Sequence, residues 1–276
     1  MPPVFTHAVL WFEYALVITG VVLLWVYVVS PKARTSAGPS PLPAWDAHPT
    51  EFVLLLAIVM FCSFVAAVSA TTIVRLAHVS GDAAMLLAGA AGQFGMLVGT
   101  GVFALRCPSY RAHAAANGRS ILMSGMATFI ISMPILQGTS LAWNRLLQLF
   151  GIPAERQDLI RMFTEAKSPG LLVSLIVLAI FIAPFAEEMV FRAGVFRFAR
   201  TRAPRLLALL IPAVLFASLH VNWSTLEGIS SFAPLVVFAV IFSLAYERTG
   251  HIGTTIVAHA LFNLNTIVQI FSGVSS

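Results

Sequence analysis

Residues Leu171 to Gly194 read LLVSLIVLAIFIAPFAEEMVFRAG. From Leu171 to Ala186 nothing is charged, and then Glu187, Glu188 and Arg192 follow in close order. This apolar run matches the roughly 20 residues that a helix needs to cross the hydrocarbon core of a bilayer. An ionisable residue inside such a span costs about 2.5–3.5 kcal/mol on insertion scales and is usually kept for function. The stretch therefore sets both the solvent of the fold and the place to look for chemistry.

The rest of the chain agrees. Of 276 residues, 59% are apolar and only 10% are Asp, Glu, Lys or Arg. A water-soluble domain averages about 25% charged residues, so a soluble globule is excluded. Disorder is excluded too, because it needs low hydrophobicity. Eight apolar runs are read as spans, roughly 8–29, 51–74, 83–105, 120–142, 170–191, 205–222, 232–247 and 251–272. The first run is too long for a cleaved signal peptide and has no Lys or Arg before it. The expected fold is an all-α, multi-pass membrane protein of about eight transmembrane helices around a polar intramembrane cavity. Its expected parts are helices 1–4 (residues 1–143), an interfacial segment (144–169) and a catalytic helical region (170–276), all within one membrane domain.

Sixteen basic residues oppose eleven acidic ones. In a membrane protein that excess belongs to cytoplasmic loops, not to nucleic acid. Eleven of the sixteen fall in or beside alternate loops, between Lys32 and Arg248, against Arg75, Arg145, Arg156, Arg161 and Lys167 on the other side. This predicts both termini outside and the Arg-rich turn around Ala203 and Pro204 in the cytoplasm. Gly89, Gly92, Gly95 and Gly99 on the third span mark close helix contact. Cys62 and Cys107 offer neither a disulfide framework nor metal spacing. Glu13 in the first span is read as a snorkelling or helix-contact residue.

The remaining polar residues within spans gather in the last four helices. Glu188 and Arg192 are four apart and share a helix face, so they can pair. Glu187 is rotated about 100° from them, and Pro184 should bend the helix just before it. The sixth span carries Phe216 and His220. In the eighth, His251, Thr255, His259 and Asn263 recur every four residues, and Thr266 continues the line. Glu187 and His220 each lie about sixteen residues from the turn at 203–204, which predicts equal depth in an antiparallel hairpin. Counting from the basic residues places Glu187, His220 and His259 in one plane, roughly 13–15 Å below the cytoplasmic face.

A carboxylate and an imidazole around a water form a hydrolytic centre. His259 and Asn263 present donors that can hold an oxyanion. Glu187, His220 and His259 could alternatively hold zinc as a three-ligand site. Other intramembrane protease signatures are absent. There is no H-E-x-x-H, Val79-Ser80-Gly81-Asp82 lacks the first Gly of G-x-G-D, and Gly228-Ile229-Ser230-Ser231 lacks the last Gly of G-x-S-G.

Glu187-Glu188-x-x-x-Arg192, then Phe216-x-x-x-His220, then His259-x-x-x-Asn263 resembles the CPBP family of intramembrane proteases. These are the type II CAAX prenyl endopeptidases and their bacterial relatives of bacteriocin processing and immunity. The resemblance covers about residues 170–270. It implies an endopeptidase in which Glu187 activates water beside His220, His259 and Asn263 hold the oxyanion, and Glu188, Arg192 and Phe216 support them. The family is often labelled metalloprotease, yet its mechanism can be written with no metal, so no cofactor is required and zinc is the alternative. The implied partners are the bilayer and a peptide or lipidated-protein substrate, with no nucleic acid. The short loops suit a prokaryotic plasma (inner) membrane, with the site open to the cytoplasm. Competing readings are a non-catalytic scaffold or immunity-type protein, and a transporter using the polar seam. The latter lacks an internal repeat.

Overall fold

The computed structural model describes residues 3–35, 38–153, 163 and 168–274. Among these, every regular element is helical. The helices that organise the molecule are α1 (Val4–Val29), α2 (Pro49–Leu76), α3 (Ala83–Arg106), α4 (Gly118–Leu149), α5 (Pro169–Arg202), α6 (Arg205–His220), α7 (Gly228–Thr249) and α8 (Ile252–Ser272). All but α6 are long and apolar enough to cross a membrane, which makes seven candidate spans among the described residues. The fold is that of a multi-pass, all-helical membrane protein, close to the eight spans expected.

One expectation is corrected. The sixth span does not run to residue 222. Helix α6 stops at His220, and Val221 already has extended backbone. The polar stretch that follows turns outward, with Trp223 and Leu226 more than half exposed, so it does not line an interior cavity. The segment expected to be interfacial begins inside another element. Asn144 to Leu149 are the last residues of α4, whose 32 residues exceed the roughly 20 that one crossing needs. Residues 154–162 and 164–167 of that segment lie outside the described residues.

Local chemistry sets the helix starts. Ser168 caps α5 by accepting from the Leu171 N–H, with Pro169 in the first turn, where a missing N–H does no harm. Asn117 does the same for α4, and His48 and His251 cap α2 and α8. Helix α7 ends on Gly250 at φ +68°, in left-handed backbone that glycine takes most readily. A side chain there would also collide with Ala114 and Pro41.

Between lipid and protein there is little hydrophobic difference, so close packing holds the helices together. A Cβ on Gly95 would strike the backbone of Ser63, and one on Gly99 would come 2.7 Å from Val59 Cα. Helices α2 and α3 therefore meet backbone to backbone. Gly20 on α1 meets Ile130 and Pro134 of α4, and Gly125 on α4 meets Val257 of α8. Around these contacts a core of large side chains joins α2, α3, α5, α6, α7 and α8, with Phe103, Phe196, Phe216 and Phe242 fully buried.

The basic loops meet at one end of the bundle. Arg197 donates to the carbonyls of Pro43, Ser109 and Tyr110. Arg202 donates to those of Trp45 and Ala47. Arg200 and Arg205 both hold Glu247, at 2.5 and 2.7 Å. One arginine cluster thus ties the 1–2 and 3–4 loops to the α5–α6 turn and the end of α7. Glu13 makes a helix contact, accepting from Gln137 of α4 at 3.2 Å.

Candidate active site

The functional stretch of α5 is not a uniform helix. It widens into π turns at Leu178–Ile182, directly before Pro184, and again at Met189–Phe196, directly after the two carboxylates. Such turns commonly mark functional sites. Here the first one accommodates the N–H that Pro184 lacks. The short α-helical piece Ala183–Glu188 between them carries both glutamates.

The two carboxylates face different partners. Glu188 is fully buried, and its Oε1 lies 2.9 Å from Arg192 and 2.9 Å from His259 Nδ1. The Arg192 guanidinium sits over the Phe216 ring at 4.6 Å, with the Phe238 and Phe242 rings each at 5.7 Å. Three phenyl faces and one carboxylate thus hold a cation that is 1% exposed. The spacing argument for a Glu188–Arg192 pair is met, with His259 as a third member.

Glu187 points into another group. Its Oε1 accepts from Gln93 Nε2 of α3 at 2.9 Å. Its Oε2 lies 3.5 Å from His220 Nε2 and 3.8 Å from His259 Nε2. The equal depth predicted for Glu187 and His220 is therefore observed as contact. His220 is held by its Nδ1–H, which donates to the Phe216 carbonyl at 2.7 Å. Its ring lies 4.2 Å from that of Phe216. His259 is held in the same way by Glu188 at Nδ1. Both rings thus turn Nε2 toward Glu187.

This arrangement has an electrostatic consequence. With each Nδ1 donating, a neutral imidazole keeps its lone pair on Nε2. Three acceptors, Glu187 Oε2 and the two Nε2 atoms, then converge with no hydrogen between them. Two carboxylates and one guanidinium also leave a net charge of −1. A water donating into the group, or one extra proton on an imidazole, relieves both problems. Glu187 and His259 are 6% and 5% exposed, whereas a third of the His220 side chain is exposed.

The expected polar stripe on α8 separates into different tasks. His251 caps the helix, and the Thr255 and Thr266 hydroxyls bond back to their own helix at Ile252 and Phe262. His259 is in the site. Asn263 spends one amide N–H on the Ala179 carbonyl of α5, at 2.8 Å, and keeps the other. Among the described residues, no set of three or more His, Cys, Asp or Glu is placed to hold a metal ion. A separate open cavity of about 450 Å³, lined by Gln137, Asn144 and Arg145 among others, lies along the far end of α4 and includes none of these residues.

Gln93 was missed in the sequence because it stands alone, with no polar residue three or four positions away to mark a polar face on the third span. A lone amide among the glycines of the third span was the available signal. Phe238 and Phe242 gave none, since phenylalanines are common in membrane helices.

Residues 169–265 match the family model described as type II CAAX prenyl endopeptidase Rce1-like. All the motif residues from Glu187 to Asn263 fall within that range, and Gln93 falls outside it. No curated protein and no solved structure matches the chain.

Proposed function

With residues 169–265 matching the Rce1-like family of CAAX endopeptidases, we propose that this chain is an intramembrane endopeptidase that cleaves membrane-associated peptides or protein tails with a water activated by Glu187. The observation that carries this reading is the convergence of Glu187 Oε2 with His220 Nε2 and His259 Nε2, at 3.5 and 3.8 Å. A water there gives its two hydrogens to Glu187 and His220, which leaves a lone pair free to attack.

In the proposed reaction Glu187 Oε2 takes the water proton as the oxygen bonds to the scissile carbonyl carbon. His259, protonated at Nε2 and backed by Glu188 at Nδ1, faces the developing oxyanion together with the free N–H of Asn263. The C–N bond then breaks, and the leaving nitrogen takes the proton from Glu187. In this state Glu187 and Glu188 are balanced by Arg192 and the His259 cation, so the buried site is neutral overall. No step passes through a metal or other cofactor. Nucleic acid has no part in the reaction. The alternate-loop arginines support a site that opens to the cytoplasm, and the short loops suit a prokaryotic plasma membrane.

The test is a mass-spectrometric comparison of membrane peptides from cells carrying wild type or Glu187→Ala. Peptides with new ends should appear only with wild type, and they also name the substrate. Identical peptide sets, with both proteins folded and inserted, would return the chain to a scaffold or immunity role.

A further inference from the structure

Helix α3 lies outside the family match, yet it touches the reacting carboxylate. Gly95 and Gly99 fix this helix against α2, where no side chain has room. Gln93 is two residues before Gly95, about 200° around the helix, and so projects from the opposite side, toward α5. There its Nε2 reaches Glu187 Oε1 at 2.9 Å. Its own Oε1 is buried without a hydrogen-bond partner, a cost that the charge-assisted bond from Nε2 to Glu187 offsets. The two oxygens of Glu187 are thereby made unequal. Oε1 is occupied by a neutral donor that does not titrate, while Oε2 is left to the two imidazoles.

The geometry points to Gln93 as a positioning residue that fixes the Glu187 carboxylate so that Oε2 faces the reacting water. The α2–α3 pair is then part of the enzyme's working structure, because the glycine contact holds α3 in the rotation that delivers Gln93. This inference rests on the hydrolytic reading for its effect on rate, but the hydrogen bond can be read without turnover.

The experiment uses the full-length protein in lipid nanodiscs, with a farnesylated fluorogenic CAAX peptide as the probe. Gln93→Met keeps the length and removes the donor, and Gln93→Asn is too short to reach. Each should lower kcat by about 10–100-fold with KM nearly unchanged, as expected when a reacting group loses its orientation. In parallel, infrared difference spectra against Glu187→Gln isolate the Glu187 carboxylate stretch, which should shift in frequency in both Gln93 variants. An unshifted stretch in folded variants would overturn the inference, as would wild-type kcat in both of them. Full cleavage by Glu187→Gln would instead remove the hydrolytic reading, and the infrared result would still report whether Gln93 holds the carboxylate.

Discussion

At the scale of single residues, the site depends on where each polar atom is already committed. Glu188 Oε1 is shared by Arg192 and His259, and both His220 and His259 are tied at Nδ1. These bonds leave Glu187 Oε2 facing two Nε2 atoms. Arg192 is the keystone, because it is the nearest permanent cation to two buried carboxylates. Removing one member of a buried pair leaves an uncompensated charge and costs about 3–5 kcal/mol. Arg192→Leu should therefore unfold far more readily in bicelles than wild type. The double variant Glu188→Leu with Arg192→Leu should recover much of that stability while remaining inactive. Equal stability of the single variant and wild type would show that the pair carries no such load. The Glu188–Arg192 pair and the shared depth of Glu187 and His220 could be read from spacing alone. The second contact of His259, the Ala179 carbonyl bound by Asn263, and the donor from Gln93 could not. They depend on how α3 and α8 rotate about α5, which one sequence does not fix.

At the scale of elements, the wide turns in α5 and the early stop of α6 decide the shape of the site. Span positions were legible because apolar runs of membrane length are unambiguous. The end of α6 was not, since Val221 still reads as part of the apolar run although its backbone has already left the helix. The loops add a titratable element of their own. His113, between α3 and α4, lies 5.6 Å from the His251 ring and 3.3 Å from the Tyr246 hydroxyl. Burial, with Arg197 and His251 nearby, lowers its pKa from 6.5 to about 4. The folded protein thus keeps His113 neutral where the unfolded chain would bind a proton. Its contribution is present above about pH 6.5 and is lost as pH falls toward 4. Because much of the ring remains near solvent, a screened contribution of about 1 kcal/mol is reasonable. Melting in detergent should fall between pH 7 and pH 4.5, and His113→Asn should lose less over that window. Parallel pH profiles for the two proteins would remove His113 as the cause.

At the scale of the whole molecule, charge is scarce and each place it occurs has a use. The arginines of the α5–α6 turn bind loop carbonyls and Glu247 and so close one end of the bundle. Glu187 and Glu188 are buried with Arg192 as their one permanent counter-charge and two imidazoles beside them. The family match covers only residues 169–265, yet Gln93 of α3 donates to Glu187. The most direct measurement is peptide cleavage by purified protein in nanodiscs, in strong chelator, with elemental analysis of the same sample. Wild type should cleave with no metal bound, and Glu187→Gln should be slower by about 10²–10⁴-fold, the usual contribution of a general base. Cleavage at the wild-type rate by Glu187→Gln, or activity lost together with a bound zinc, would contradict a glutamate-activated water.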